Sequence, residues 1–155
     1  QGCHHQMPDS TATLPWIKPP QATLAWTVAD AQTDHFAHTN NAEYVRAMER
    51  CAWVHTEALG LSLEAFQRMG AGCVVHRHEI DYLAPTLLGE VLLIGTWIDA
   101  NDGRLSMRRG FQIIRLADRK TVLRAMTQFV CVDLASGRPR RMPPAFVAAY
   151  QPVAD

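Results

Sequence analysis

Asp34 and His38 stand four residues apart, just ahead of a segment with helical periodicity. A carboxylate can take a proton from water or attack a carbonyl carbon itself. A nearby imidazole can orient that carboxylate or polarise water. A helix start adds backbone N–H groups without intrahelical partners, where developing negative charge is stabilised. These are the parts of an acyl-transfer site, and all fall between Gln32 and Tyr44. By residue type alone, the same segment also reads as a turn capped by aspartate.

The elements around the segment decide whether it can be held still. Asn40 is a good N-cap, and Glu43 follows three residues later in the manner of a capping box. Tyr44, Ala47, Met48, Cys51, Val54, His55, Ala58 and Leu59 recur at helical spacing and predict one buried face. Gly60 is the expected stop, and a shorter helix is expected over 62–69. Strands are expected over about 21–28, 73–83, 90–99, 105–116 and 121–133, with Asn101-Asp102-Gly103 as a hairpin turn. A terminal helical turn is expected over 143–150. One long helix followed by hairpin-linked strands predicts an α+β fold, an antiparallel sheet wrapped on that helix. Such a sheet leaves an edge strand, so pairing into a dimer is expected.

Composition narrows the classes further. A chain of 155 residues reads as a single domain over 21–155, preceded by an extended leader over 1–20 with Pro8, Pro15, Pro19 and Pro20. Within the leader, residues 1–6 read as an appended start ahead of Met7. A domain of this size can bury roughly 70% of its unfolded surface without disulfides or structural metal. The formal net charge of zero gives no electrostatic reason to expect nucleic acid or an anionic membrane. No apolar run approaches a bilayer span and no secretory signal is visible. Cys51, Cys73 and Cys131 fall in apolar stretches without C-x-x-C spacing, which predicts free thiols and a cytoplasmic, reducing setting.

Other polar clusters point less directly to chemistry. His76 and His78 alternate on an expected strand and would share a face, but two ligands without a third make no metal site. No metal is expected. Gly70-Ala71-Gly72 lacks the third glycine and following helix of a dinucleotide fingerprint. Arg104, Arg108, Arg109, Arg115, Arg119, Lys120, Arg138, Arg140 and Arg141 gather toward strand ends. They read as solvated faces, with Arg138, Arg140 and Arg141 the group best suited to phosphates.

The string T-D-x-x-A-H-x-N-N-x-x-Y-x-x-x-x-E-R, running from Thr33 to Arg50, resembles the signature of the hotdog-fold thioesterases. The nearest branch is that of the 4-hydroxybenzoyl-CoA thioesterase-like acyl-CoA hydrolases. Asp34, His38, Asn40, Asn41, Tyr44 and Glu49 match it, whereas Gln32, Ala37 and Thr39 replace the usual Asp, Gly and Val. Ile80 to Pro85 with Leu88-Gly89-Glu90 is similar to the family's second-strand pattern. Phe129 to Asp133 with Ser136 to Pro139 is similar to its last strand and exit turn. The resemblance implies a hotdog fold, an acyl-CoA substrate, no cofactor, and a homodimer or homotetramer with sites at the subunit interface.

The same resemblance distributes roles. Asp34 is the expected general base or nucleophile, and the backbone amide seven residues later, that of Asn41, the expected oxyanion donor. His38 is expected to assist. Tyr44 would line the acyl pocket or pack in the core, and Asn40 would shape the turn. Glu49 is a rival carboxylate, because one hotdog branch uses a helical Glu. Arg138 and Arg140 are candidates for CoA phosphates. An acyl-ACP thioesterase and a non-catalytic acyl-CoA-binding protein are the alternatives. The hydratase pattern D-x-x-x-x-H is not met, since Asp34 and His38 are one residue too close.

Overall fold

The computed structural model describes residues 14–154. Residues 1–13 of the expected leader, among them the expected appended start and Met7, lie outside the described residues. Five strands, β1 (Ala22–Thr27), β2 (Ala71–Tyr82), β3 (Val91–Asn101), β4 (Ser106–Arg115) and β5 (Lys120–Asp133), form one antiparallel sheet in the order β1-β3-β4-β5-β2. The long helix α1 (Asn41–Ala58) packs on β1 and β3. Shorter helices α2 (Leu63–Met69) and α3 (Pro144–Ala149) follow at the ends of α1 and β5. This is the expected α+β architecture, with every expected element present and its ends moved by only a few residues.

Two apolar clusters form the core, one between α1 and the sheet and the other between the shorter helices and the sheet. One gathers Trp26, Tyr44, Met48, Cys51, Ile94 and Phe111. The other gathers Phe66, Ile98, Met107, Cys131, Phe146 and Tyr150. Burying such faces supplies most of the stability of helix and sheet alike. Ser62 caps α2 by accepting the Ala65 N–H (3.1 Å), and Gly70 closes it at a φ of 65°, a left-handed turn that glycine adopts without penalty.

The opposite face of the sheet is covered by the described end of the leader. The Ile17 N–H donates to Gln112 Oε1 (2.8 Å), and Gln112 Nε2 donates to the Pro15 carbonyl (2.9 Å). A Cβ at Gly95 would stand 2.4 Å from the Trp16 ring, so the absent side chain there is what seats the indole. Residues 14–20 contain no helix or strand, as expected, yet they are fastened to β3 and β4 rather than loose.

The strand β2 occupies a sheet edge. Between Val75 and Arg77 its pairing with β5 slips by one residue. That bulge interrupts the alternation on which a shared face for His76 and His78 rests. His78 instead meets Thr127 across the strand pair, Nδ1 to Oγ1 at 2.8 Å. Among the described residues no group of three or more His, Cys, Asp or Glu is placed to hold a metal ion.

Candidate active site

Residues 33 to 39 form a tight excursion that closes on itself. Thr33 bridges Thr39, the Asp34 N–H donates to the His38 carbonyl (2.8 Å), and the Ala37 N–H donates to the Asp34 carbonyl (3.1 Å). The turn requires a φ of 61° at Ala37, the left-handed region, at the position where the family pattern has glycine. The excursion is then tied to the turn after β2. Thr39 N–H donates to the Thr86 carbonyl (2.9 Å), and Leu88 N–H donates to the Ala37 carbonyl (3.1 Å).

Asp34 is exposed, but one of its oxygens is fixed. Its Oδ1 accepts the Phe36 N–H (2.9 Å) and the His38 N–H (3.1 Å), while Oδ2 takes no hydrogen bond from the described residues. The Phe36 amide, above all, holds the carboxyl below the usual carboxylate range; desolvation opposes it, and the His38 amide and the nearby imidazoles of His38 and His35 add to the lowering. The result is an ionised carboxylate with one oxygen clamped and the other uncommitted.

His38 orients Asp34 through its backbone. Its amide and carbonyl both bond to Asp34, whereas its exposed imidazole lies 6.5 Å from the Phe36 ring, centroid to centroid. Asn40 caps α1, as expected: its Oδ1 accepts the Ala42 N–H (3.1 Å) and its carbonyl accepts the Glu43 N–H (2.9 Å). The Asn41 N–H is left out of that cap. Asn40 N–H donates to the Gln32 carbonyl (2.9 Å), which draws the helix start back beside the beginning of the Asp34 turn.

Tyr44 takes the core alternative. It is 3% exposed, packs edge-on against Trp26 and Tyr82, and its hydroxyl bonds Thr86 Oγ1 at 2.7 Å. Glu49 is exposed on α1, eight residues past Asn41 and so about 12 Å further along the helix axis. It stands at the rim of a cavity of about 460 Å³ that runs between α1 and the sheet. Arg138 and Arg140 are not brought to Asp34 within the chain. Asp133 N–H donates to the Arg138 carbonyl and Arg140 Nη1 donates to the Met69 carbonyl, both beside the start of β2. The Asp34 turn adjoins the far end of that strand, roughly 35 Å along its length.

Sequence reading missed three supports. Gln32, which replaces the family's usual Asp, accepts both the Trp26 indole N–H (3.0 Å) and the Ala29 N–H (2.9 Å), so it braces the entry to the turn. Thr86 is fully buried and joins the Thr39 hydroxyl (2.6 Å) to that of Tyr44. The one signal for it was a polar residue after Pro85 in an otherwise apolar run. Arg115 holds the same turn from outside: its guanidinium pairs with Glu90 (3.2 Å) and donates to the Pro85 carbonyl (3.2 Å). Arg109 departs furthest from expectation. It is 1% exposed, between the two apolar clusters, and is not part of any solvated face.

Comparison with known proteins agrees with this architecture. The profile described as the thioesterase-like superfamily matches residues 28–150. The long-chain acyl-CoA thioesterase FadM of Escherichia coli (strain K12) is 30% identical over 105 residues, which is 65% of this chain and 75% of FadM. Among solved structures, the 1,4-dihydroxy-2-naphthoyl-CoA thioesterase Slr0204 from Synechocystis superposes with a TM-score of 0.74 at 20% identity, covering 83% of this chain and 94% of that one. SAV2348 from Staphylococcus aureus, solved in complex with CoA, superposes with a TM-score of 0.77 at 18% identity, covering 88% and 89%. With the profile spanning most of its length, the chain belongs to the thioesterase-like superfamily and is on that footing a thioester hydrolase of hotdog fold.

Proposed function

We propose that the chain hydrolyses an acyl-CoA thioester to a free carboxylic acid and CoA. The observation that carries this reading is the Asp34 carboxylate, ionised and clamped through Oδ1, beside a helix start whose Asn41 amide is unused. Oδ2 attacks the thioester carbonyl, or takes a proton from the water that does. The carbonyl oxygen gains negative charge and receives the Asn41 N–H. Collapse of that intermediate breaks the C–S bond and expels CoA as thiolate, a good leaving group. Where water attacked, the free acid is formed at once; where Oδ2 attacked, water then cleaves the mixed anhydride left on Asp34 to release the acid and restore the carboxylate. The His38 imidazole, exposed beside the turn, is free to move a proton. CoA arrives as part of the substrate, and the reaction needs no separate cofactor.

The working unit in this reading is a homodimer joined along β2. That edge exposes Val74 and Val75, and its strand is twelve residues long, a surface that proteins normally cover. Antiparallel pairing of β2 with its copy about a two-fold axis sets the start of one strand against the end of the other. It would bring Arg138 and Arg140 of one subunit toward the Asp34 turn of its partner, where CoA phosphates would lie. No helix among the described residues is long and apolar enough to cross a membrane.

The test is free-thiol release from short, medium, long and aromatic acyl-CoAs, with wild type and Asp34→Asn side by side. Turnover by the wild type, reduced at least a hundredfold in a folded Asp34→Asn, is expected. Undiminished turnover in the variant would transfer the carboxylate role to Glu49. Hydrolysis of acyl-ACP but of no acyl-CoA would favour the carrier-protein substrate, and tight acyl-CoA binding without turnover a binding protein.

A further inference from the structure

The cavity beside Glu49 has a composition that an ordinary fatty chain does not need. Its wall is apolar, with Val45, Met48, Phe66 and Phe129 among its residues. At its floor stands the Arg109 guanidinium. Every partner of that cation is neutral. Nη1 donates to His55 Nδ1 (2.9 Å) and Thr96 Oγ1 (3.2 Å), Nη2 reaches Thr56 Oγ1 (3.4 Å), and Tyr150 lies 5.9 Å from the guanidinium carbon. The Nε–H has no partner, although it is fully buried. Glu49, the one acid in the described lining, forms no ion pair with it and sits at the exposed rim.

A buried charge without a counter-ion is among the least favourable arrangements a core can hold, and an unmade hydrogen bond adds to it. A hydrophobic residue at position 109 would join the two apolar clusters at no such cost. The arrangement makes sense where something anionic completes it. The shape of the cavity says what that can be. On α1 its lining runs from Val45, one turn beyond the Asn41 amide, to Thr56, about 16 Å further along the helix and bonded to Arg109. A group admitted at the first end meets Arg109 only through a chain.

We propose that Arg109 is a specificity residue, and that the cavity takes an acyl chain carrying a carboxylate at its distal end. The inference rests on the thioesterase reading for the other end of the chain, where the thioester meets Asp34. The distal carboxylate accepts from the guanidinium, and from the Nε–H that nothing else uses. Polar recognition of this kind discriminates more sharply than apolar fit, because the analogue lacking the group leaves the buried cation unpaired.

The test is calorimetric binding of matched primary amides to wild type, so that the distal group is the sole carboxylate present: the monoamides of α,ω-dicarboxylates against the amides of methyl-terminated and ω-hydroxy acids of equal length, from eight to sixteen carbons. At the best length the dicarboxylate monoamide is expected to bind about tenfold or more tightly than either. Arg109→Met should erase the preference and Arg109→Lys should keep part of it. The wild-type comparison decides even if Arg109→Met fails to fold. Equal or tighter binding of the methyl-terminated amide, or of the ω-hydroxy amide, overturns the proposal. Binding does not need turnover, so Asp34→Asn should show the same preference. A preference for the dicarboxylate monoamide in a protein that hydrolyses no acyl-CoA would sink the thioesterase reading alone.

Discussion

At the residue scale, position 41 allows a backbone role to be separated from a side-chain role. Proline at the first helical residue is well tolerated, since its fixed φ suits the helix and no intrahelical bond is lost. The preceding residue must be extended, and Asn40 is, at φ −66° and ψ 136°. Asn41→Pro should therefore fold normally by circular dichroism while lacking the proposed oxyanion donor. Its kcat is expected to drop by about 10² to 10³, and that of Asn41→Ala to stay near wild type. A wild-type rate in the proline variant would remove this amide from the mechanism. Ala37 invites a second pair. Its left-handed φ is strained for any residue with a Cβ, and more so for a branched one. Ala37→Val should lower stability in urea by about 1 to 2 kcal/mol and turnover with it. Ala37→Gly should change stability little, because relief of strain is offset by the freer unfolded chain. Equal unfolding midpoints for Ala37→Val and wild type would show that the turn carries no such strain. These residues were legible in the sequence because the turn is local: Asp34 bonds to Phe36 and His38. Arg109 was not, because its partners His55 and Thr56 are 54 and 53 residues away. No spacing rule joins them.

At the element scale, the same contrast explains which parts of the fold could be read. Helical periodicity in α1 and the turn signals between strands are local, and they placed every strand and α-helix. The bulge in β2 and the strapping of residues 14–20 across the sheet depend on cross-strand partners, which the sequence pattern does not name. Close approach inside the sheet is equally silent. A Cβ at Gly110 would stand 2.3 Å from the Trp97 ring, so β4 has room there for glycine alone. Gly110→Ala should lower the urea midpoint by the equivalent of about 1 to 3 kcal/mol; a midpoint unchanged from wild type would mean that the indole moves aside freely. The proposed assembly rests on the β2 edge. If two copies pair along it, a charge in its apolar stretch should part them, and Val75→Lys is expected to sediment as a monomer with little turnover. A wild type that is monomeric and fully active at assay concentration would defeat the interface reading.

At the scale of the whole molecule, the two apolar clusters meet at a polar seam built from Arg109, His55, Thr56 and Thr96. Arginine can only donate, so His55 Nδ1 must accept, and the imidazole must be neutral. Burial first, and the neighbouring guanidinium second, push the His55 pKa down to about 4 from 6.5. The sign of the linkage follows. The unfolded chain binds a proton at His55 below about pH 6.5, and the folded chain does not until about pH 4. Stability from this group is complete above pH 6.5, falls as pH drops through that window, and levels off below it. The loss should be of the order of 2 to 3 kcal/mol, measured as the unfolding free energy in urea between pH 7 and pH 4. His55→Gln retains an acceptor for Arg109 without a titrating ring, so it should flatten that part of the profile. The two proteins should differ in slope over that window, whatever their stabilities at pH 7. Parallel slopes would mean that His55 is protonated in the folded state, with two cations sharing the seam. A dicarboxylate bound at Arg109 would then have a second positive partner, and its affinity should rise as pH falls rather than stay level.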